Sequence, residues 1–177
     1  MKNNRNGQAS TLTEAQLEEL FDTLTPRYRL LFSICYFTSC RVSEALKLKR
    51  SDIVGDRIVF RASTTKEKRT RELKISSRLA SIIKDVGLPD SGYVFPNGKG
   101  EHISRQAADK ALREASDYIG LVGVSTHSFR RTAITNLHAK GIPLKVIQKR
   151  SGHANLENLC LYIDVDSSTV DEAGELL

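Results

Sequence analysis

Residues 126–132 read THSFRRT, and they open a segment whose apolar side chains recur at helical spacing until Gly141. Pro143 then opens the next predicted helix. His127 and Arg130 therefore lie in the first turn of a helix, where the helix dipole disfavours a cation. A bound phosphate, which the same dipole favours, explains the two basic residues better than a structural role does.

Helix signals continue through most of the chain on either side of this segment. Thr13 followed by Gln16 predicts a capping box at the start of the first helix, and Pro26 suits the first turn of the second. Further helices are predicted at residues 41–48, 77–86, 104–119, 156–163 and 168–177.

One stretch changes from helical to β spacing. Residues 57–62 are rich in strand formers, residues 72–75 are a candidate partner strand, and a polar, basic connection at residues 63–71 joins them. This pattern predicts a small β-hairpin or a three-stranded sheet. We therefore expect a mostly α (α+β) domain with a small antiparallel three-stranded β-sheet at one edge.

The composition is that of a soluble globular domain with a basic surface. Of 177 residues, 40% are apolar and 27% charged, and 27 Lys and Arg against 21 Asp and Glu give a formal charge of +6. A basic balance is compatible with a polyanionic partner, of which nucleic acid is the commonest. No linker divides the chain, so we expect one domain, residues 11–177, after a disordered segment, residues 1–10.

Neither a membrane span nor a secretory leader is predicted. The longest apolar stretch, residues 30–37, is too short to cross a bilayer, and the polar N-terminus lacks an apolar leader region. The three cysteines form no CxxC pair and are expected to be reduced. These features predict a cytoplasmic protein without a membrane partner.

Several classes of chemistry lack their motifs. The sequence has no GxxxxGK[ST] loop for nucleotides, no HExxH or paired CxxC for metal, and no GxSxG for a serine nucleophile. We therefore expect neither a metal nor another cofactor. What remains is an ordered set of polar residues, namely Arg41, Lys66, His127, Arg130, His153 and Tyr162.

This order resembles the catalytic signature of the tyrosine recombinase (phage integrase) family. Residues 41–44, RVSE, resemble its R-[IV]-S-E segment, residues 127–132 resemble H-x-[LF]-R-H-T, and residues 151–153 resemble L-G-H. Tyr162 follows His153 by nine residues, which is the family's spacing. The resemblance covers roughly residues 11–165, and the motifs in this order are far more specific than any one alone.

The resemblance assigns a role to each residue of the set. Arg41 and Arg130 are expected to hold the two non-bridging oxygens of a phosphodiester and to stabilise its five-coordinate transition state. Tyr162 is the expected nucleophile. Since a free tyrosine has a pKa of about 10, it needs a base, for which His127 is the candidate, or an electropositive site that lowers its pKa.

The remaining two roles fall on Lys66 and His153. Lys66, in the basic connection, is expected to protonate the departing 5′ oxygen. It is placed there by counting back from the strand that follows, and Lys68 is the alternative. His153 is expected to donate to a phosphate oxygen or to orient the site.

Local sequence adds one pairing and one alternative. Glu44 lies three residues after Arg41, so helical spacing lets it pair with that side chain and orient it. Tyr162, taken alone, fits a core tyrosine on an amphipathic helix equally well. Only its spacing from His153 favours the nucleophile.

The chain departs from the family pattern in a few places. Cys40, Arg131 and Asp164 stand where many relatives have Gly, His and His, and Asp164 adds a negative charge near Tyr162. Family members usually carry an N-terminal helical DNA-binding domain, whereas about a dozen residues precede the match here. The resemblance therefore leaves two expectations open: the C-terminal part of a longer recombinase, or a naturally short member.

The resemblance implies a DNA strand transferase that cleaves and rejoins specific sites in double-stranded DNA through a 3′-phosphotyrosine, without metal or ATP. It also implies a homotetramer on paired DNA sites, in which residues 168–177, apolar on one face, dock on a neighbouring protomer. Two alternatives remain: a type IB topoisomerase-like enzyme, which relaxes DNA without choosing sites, and a non-catalytic DNA-binding relative.

Overall fold

The computed structural model describes residues 9–65, 68–161 and 163, which form eight α-helices and a three-stranded antiparallel sheet. The predicted mostly α domain with a small antiparallel sheet is confirmed. Within these ranges no helix is both long and apolar enough to cross a membrane. The elements are α1 (Glu14–Thr23), α2 (Pro26–Thr38), α3 (Val42–Leu46), β1 (Ile53–Val54), β2 (Arg57–Phe60), β3 (Arg71–Lys74), α4 (Ser77–Val86), α5 (Arg105–Tyr118), α6 (Ser128–Ala139), α7 (Leu144–Ser151) and α8 (Glu157–Cys160).

Side-chain caps begin three of the helices. The Thr13 hydroxyl accepts from the backbone N–H of Gln16, and the Gln16 side chain accepts from that of Thr13, so the predicted capping box is confirmed. The hydroxyls of Ser76 and Ser104 cap α4 and α5. Each such cap stabilises its helix by about 1 kcal/mol. Pro26 occupies the first turn of α2, as predicted.

Helix α2 is the centre of the main hydrophobic core. Helices α1, α3, α4 and α6 pack around it, and most of its side chains are buried. Phe129, in the first turn of α6, stacks on Phe32 with ring centroids 4.7 Å apart and on Phe21 at 5.8 Å. This stacking holds the start of α6, and the polar residues beside Phe129, against the core.

The sheet has the strand order β1-β2-β3. Ile58, in the middle strand, pairs with Ile53 on one side and Leu73 on the other, and strand alternation buries Ile58 and Phe60. The prediction placed β2 and β3 to within two residues. It did not locate β1, because a strand of two residues produces no periodicity.

A second hydrophobic cluster joins the last three helices. Ile134 of α6, Ile147 of α7 and Leu159 of α8 are its buried members. Helix α8 ends at Cys160, whereas the prediction extended it to residue 163. Beyond it, the Ile163 N–H donates to the Cys160 carbonyl at 3.0 Å.

Two predicted segments fall largely outside the described residues. The predicted helix at residues 168–177 lies outside them entirely. Of residues 1–10, only residues 9 and 10 are described, and the Ser10 N–H donates to the Gly123 carbonyl at 3.1 Å.

Candidate active site

Arg130 lies at the centre of the candidate site, although its side chain is buried. Only 2% of the residue is exposed, because the first turn of α6 is held in the core. Its Nη1 donates to the main-chain oxygens of Ser39, at 3.0 Å, and of Ser151, at 2.9 Å. A guanidinium is tolerated at this depth only when its N–H groups are hydrogen-bonded. The two carbonyls thus hold Arg130 between the α2–α3 turn and the end of α7.

His153 lies against the guanidinium of Arg130. The Arg130 Nη2 is 2.8 Å from the His153 Nε2, and the His153 Nδ1 is 2.7 Å from the Ser151 hydroxyl oxygen. That hydroxyl donates to the Ile147 carbonyl at 2.7 Å, so its oxygen accepts a hydrogen bond from the Nδ1–H of His153. In this arrangement Nε2 is the unprotonated nitrogen and accepts from Arg130.

Arg41 lies at the start of α3, three residues before Glu44. The backbone N–H of Arg41 donates to the Glu44 Oε2 at 3.1 Å, and the Arg41 Nη1 donates to Oε1 at 3.2 Å. Glu44 is only 1% exposed, whereas 22% of the Arg41 side chain is accessible. The predicted pairing is confirmed. The buried Glu44 carboxylate holds the partly exposed Arg41 guanidinium in place near the surface.

His127 is the residue immediately before α6, and its imidazole lies near the same arginines. The backbone N–H of His127 donates to the Ser125 hydroxyl at 3.2 Å, and the residue is the N-cap of the helix. Although the residue as a whole is exposed, partial burial lowers the pKa of His127, and the positive charges of Arg105, Arg130 and Arg41 lower it further.

The same causes act more strongly on the second histidine. Burial first, then the charges of Arg130, Arg41 and Arg71, lower the pKa of His153 to about 3. Both imidazoles are therefore neutral at neutral pH. Because Arg41 and Arg130 depress the pKa of both histidines, these four predicted residues share one electropositive site.

The other two predicted residues, Lys66 and Tyr162, lie outside the described residues. Thr65, next to Lys66, is buried, and its hydroxyl donates to the carbonyl of Arg69 or Ala62 and accepts from the Arg69 N–H. Leu159, three residues before Tyr162, is anchored in the second hydrophobic cluster.

Arg71 is a residue of this region that the sequence argument missed. Its Nη2 donates to the Glu44 Oε2 and its Nη1 to the Ser151 carbonyl, both at 3.2 Å. A signal for it exists in the sequence. Arg71 shares the strand face of Leu73 and Ile75, both partly buried, and an arginine on the apolar face of a strand is unusual without a partner.

Arg150 adds a further cation near this region. It donates to the main-chain oxygen of Phe37, and burial together with the charge of Arg71 lowers its pKa. Arginine remains protonated even so. Four guanidinium groups, those of Arg41, Arg71, Arg130 and Arg150, therefore surround the junction of the α2–α3 turn, β3 and α7.

Gly152 is required between Ser151 and His153. Its φ is +72°, in the left-handed region, and a Cβ at this position would lie 1.9 Å from the Arg71 Nη1. The residue lets α7 end in a tight turn while the Arg71 guanidinium passes beside it.

A separate basic cavity of about 490 Å³ contains none of the predicted site residues. Its lining includes Lys47, Lys49 and Arg61, and also Ser63 and Thr64 from the connection between β2 and β3. It extends the positively charged surface along the sheet. Among the described residues, no group of three or more His, Cys, Asp or Glu side chains forms a candidate metal site.

Comparison with known proteins shows similarity to one family along nearly the whole chain. A sequence model described as the Phage integrase family matches residues 10–169. Tyrosine recombinase XerC of Halalkalibacterium halodurans is 32% identical in an alignment that covers 88% of this chain and 58% of that protein. The chain spans about half to three-fifths of the length of the curated relatives it matches.

Solved structures agree with the sequence match. The catalytic domain of bacteriophage HP1 integrase has a TM-score of 0.69 and 25% identity, with 95% of each chain covered. XerH recombinase bound to its difH substrate, in a pre-cleavage complex, has a TM-score of 0.74 and 24% identity over 93% of this chain and 53% of that one.

Proposed function

The chain belongs to the phage integrase family, and on this premise we propose that it is the catalytic domain of a site-specific DNA recombinase. It cleaves and rejoins double-stranded DNA through a covalent link between Tyr162 and a 3′ phosphate. The observation that carries this proposal is the geometry of the site: Arg130 contacts His153 at 2.8 Å, and the Glu44 carboxylate that holds Arg41 is joined through Arg71 to the Ser151 carbonyl that holds Arg130. The charges of Arg41 and Arg130 also act on both His127 and His153. XerH, a structural neighbour, is a site-specific recombinase bound to its difH substrate in a pre-cleavage complex.

The two arginines bind the scissile phosphate. Arg41 is partly exposed and held by Glu44, so its guanidinium lies where it can contact a non-bridging oxygen at the surface. Arg130 lies deeper and supplies the second guanidinium. Two cations offset the negative charge that grows on the phosphoryl oxygens in the five-coordinate transition state.

Tyr162 attacks the phosphorus through its phenolic oxygen, and the bond from phosphorus to the 5′ oxygen breaks. His127 accepts the phenolic proton. Its lowered pKa keeps the imidazole neutral and therefore able to act as a base at neutral pH. Lys66 gives a proton to the departing 5′ oxygen. Attack by a 5′ hydroxyl on the phosphotyrosine reverses each transfer and restores the diester.

His153 orients Arg130. Its Nε2 accepts from the Arg130 guanidinium, while the Ser151 hydroxyl fixes its Nδ1. This pairing selects one tautomer and one position for the arginine before DNA binds.

The reaction needs neither metal nor ATP, because the phosphotyrosine conserves the energy of the broken diester bond. The protein acts in the cytoplasm as a homotetramer on two paired DNA sites, and residues 168–177 dock on the neighbouring protomer. If their deletion leaves synapsis and cleavage unchanged, the docking part of the proposal fails.

A nicked suicide DNA substrate tests the proposal. The chain is incubated in EDTA with candidate sites taken from the DNA that flanks its gene, and the products are resolved on a denaturing gel. We expect a slow protein–DNA band that is absent for Tyr162→Phe. A band that persists in this variant means that another residue is the nucleophile.

Two further outcomes separate the alternatives. Relaxation of supercoiled plasmids that lack any candidate site indicates a topoisomerase-like enzyme. DNA binding that Tyr162→Phe leaves unchanged, with no covalent band from the parent chain on any substrate, indicates a non-catalytic relative.

A further inference from the structure

We propose that Arg71 is a positioning residue that aligns Arg41 and Arg130 without touching the phosphate. The inference rests on the proposed function and adds a residue to its machinery. Three observations carry it: the two hydrogen bonds of the Arg71 guanidinium, its burial, and its place at the base of the connection between β2 and β3.

Each of the two hydrogen bonds of Arg71 ends on an acceptor that also accepts from one of the two phosphate-binding arginines. Its Nη2 and the backbone N–H of Arg41 share the same oxygen of Glu44, at 3.2 and 3.1 Å. Its Nη1 and the Nη1 of Arg130 share the Ser151 carbonyl, at 3.2 and 2.9 Å. One rigid, planar guanidinium therefore sets the distance between the two anchors that hold Arg41 and Arg130.

The burial of Arg71 separates it from the DNA. Only 10% of its side chain is exposed, and its guanidinium carbon lies 4.6 Å from the centre of the Phe60 ring, on which it stacks. Glu44, the carboxylate beside it, is buried and offsets the charge. These contacts leave Arg71 directed into the protein and away from a substrate surface.

The position of Arg71 joins the catalytic centre to the loop that contains Lys66. Arg71 and Phe60 form the last pair of the β2–β3 ladder, so they are the base of the connection from residue 61 to residue 70. The same arginine thus fixes where this loop leaves the sheet relative to α3 and α7.

Four variants test the inference. Arg71→Ala removes the guanidinium, Arg71→Lys keeps the charge without the planar fork, and Arg71→Gln keeps part of the side-chain length. Arg57→Ala is the matched control, because Arg57 lies at the other end of the same ladder and makes a solvent-exposed ion pair with Glu72 at 3.2 Å. Thermal unfolding monitors whether each variant folds.

The first measurement is the rate of covalent cleavage together with the salt dependence of DNA binding. We expect Arg71→Ala to cleave about 100-fold more slowly, since a misplacement of about 1 Å costs that much. We expect Arg57→Ala to match the parent, and Arg71→Lys and Arg71→Gln to recover at most part of the rate. The log–log salt slope of Arg71→Ala stays at the parent value, whereas a lost phosphate contact lowers it by about 0.9.

The second measurement uses DNA with a bridging sulfur in place of the 5′ oxygen. A thiolate leaves without a general acid, since a thiol has a pKa of about 8.5. If Arg71 aligns the two arginines, Arg71→Ala remains slow on this substrate. Full rescue by sulfur overturns the proposal, because it assigns the defect to Lys66.

Three other results also overturn it: a parental cleavage rate for Arg71→Ala, a lower salt slope, or full recovery by Arg71→Lys, which shows that charge alone matters. Each of these leaves the proposed function intact, because the parent chain still cleaves. Failure of the parent chain to form an adduct on any substrate refutes the proposed function, and this inference with it.

Discussion

At the scale of single residues, Arg130 combines a buried charge with a proposed role in the transition state. Arg130→Lys keeps the charge but cannot bond the Ser39 and Ser151 carbonyls and His153 together. We expect the cleavage rate on the suicide substrate to fall by about 10²- to 10³-fold, as for the loss of one oxyanion donor. The rate is measured from the covalent band.

Arg113→Lys is the control for that substitution. Arg113 forms an exposed ion pair with Asp109 one turn earlier on α5, and exposed pairs contribute little to stability. Parental cleavage is expected for this variant. Equal losses in the two variants would contradict a specific role for Arg130.

His153 makes the stability of the protein depend on pH. Its pKa is about 3 when folded and about 6.5 when unfolded, so the unfolded chain binds the extra proton between these values. The stability that neutral His153 contributes to the folded state is fully present above pH 6.5 and is lost as the pH falls towards 3. We expect the free energy of unfolding to drop by about 2 kcal/mol from pH 7 to pH 5 through this residue.

Urea unfolding of the parent and of His153→Gln at both pH values checks this expectation. The glutamine does not titrate, so its variant loses less stability between pH 7 and pH 5 than the parent does. Equal losses in the two proteins would place the pH dependence elsewhere.

At the scale of elements, the end of α7 depends on the glycine that follows it. In Gly152→Ala, the alanine must adopt a left-handed backbone conformation, which destabilises the protein by about 1 kcal/mol. Its Cβ also displaces the Arg71 guanidinium from the Ser151 carbonyl. We expect slower cleavage in addition to lower stability. Gly141→Ala is the control, because Gly141 has a φ of +74° with no atom within 4 Å of a Cβ.

Denaturant unfolding and cleavage assays on both variants separate the effect of backbone strain from the effect of the clash with Arg71. Gly141→Ala is expected to lose about 1 kcal/mol of stability and no activity. In an Arg71→Ala background, Gly152→Ala has no guanidinium to displace, so it should slow cleavage no further. An additive loss of rate would contradict the assigned contact.

At the scale of the whole molecule, the excess of positive charge predicts strongly salt-dependent DNA binding. The formal charge is +6, and each phosphate contact contributes about 0.9 to the log–log slope of affinity against salt. Arg41→Ala should lower the slope by about that amount. Arg78→Ala, which removes exposed ion pairs with Glu14 and Glu18, should leave it unchanged. Fluorescence anisotropy with labelled duplex DNA provides the measurement, and a salt-insensitive affinity would contradict binding through the phosphate backbone.

Local features of the chain were accessible without the structure. The capping box of Thr13 and Gln16, the helix periodicities, and the i+3 pairing of Arg41 with Glu44 each depend on residues a few positions apart. Helical geometry brings such residues together whatever the rest of the chain does. The order of the candidate site residues likewise follows from the sequence.

How the site is held depends on contacts between residues far apart in the chain. Arg130 bonds a carbonyl 91 residues away, and Arg71 bonds one 80 residues away. These contacts exist because α2, α6 and the sheet pack on the main core while α7 packs on α6 in the second cluster, which no spacing along the chain encodes. The residue types, their order and the helices that contain them are therefore encoded locally in the chain. Long-range packing buries Arg130, keeps His153 neutral beside it, and lets Arg71 join Glu44 to the Ser151 carbonyl.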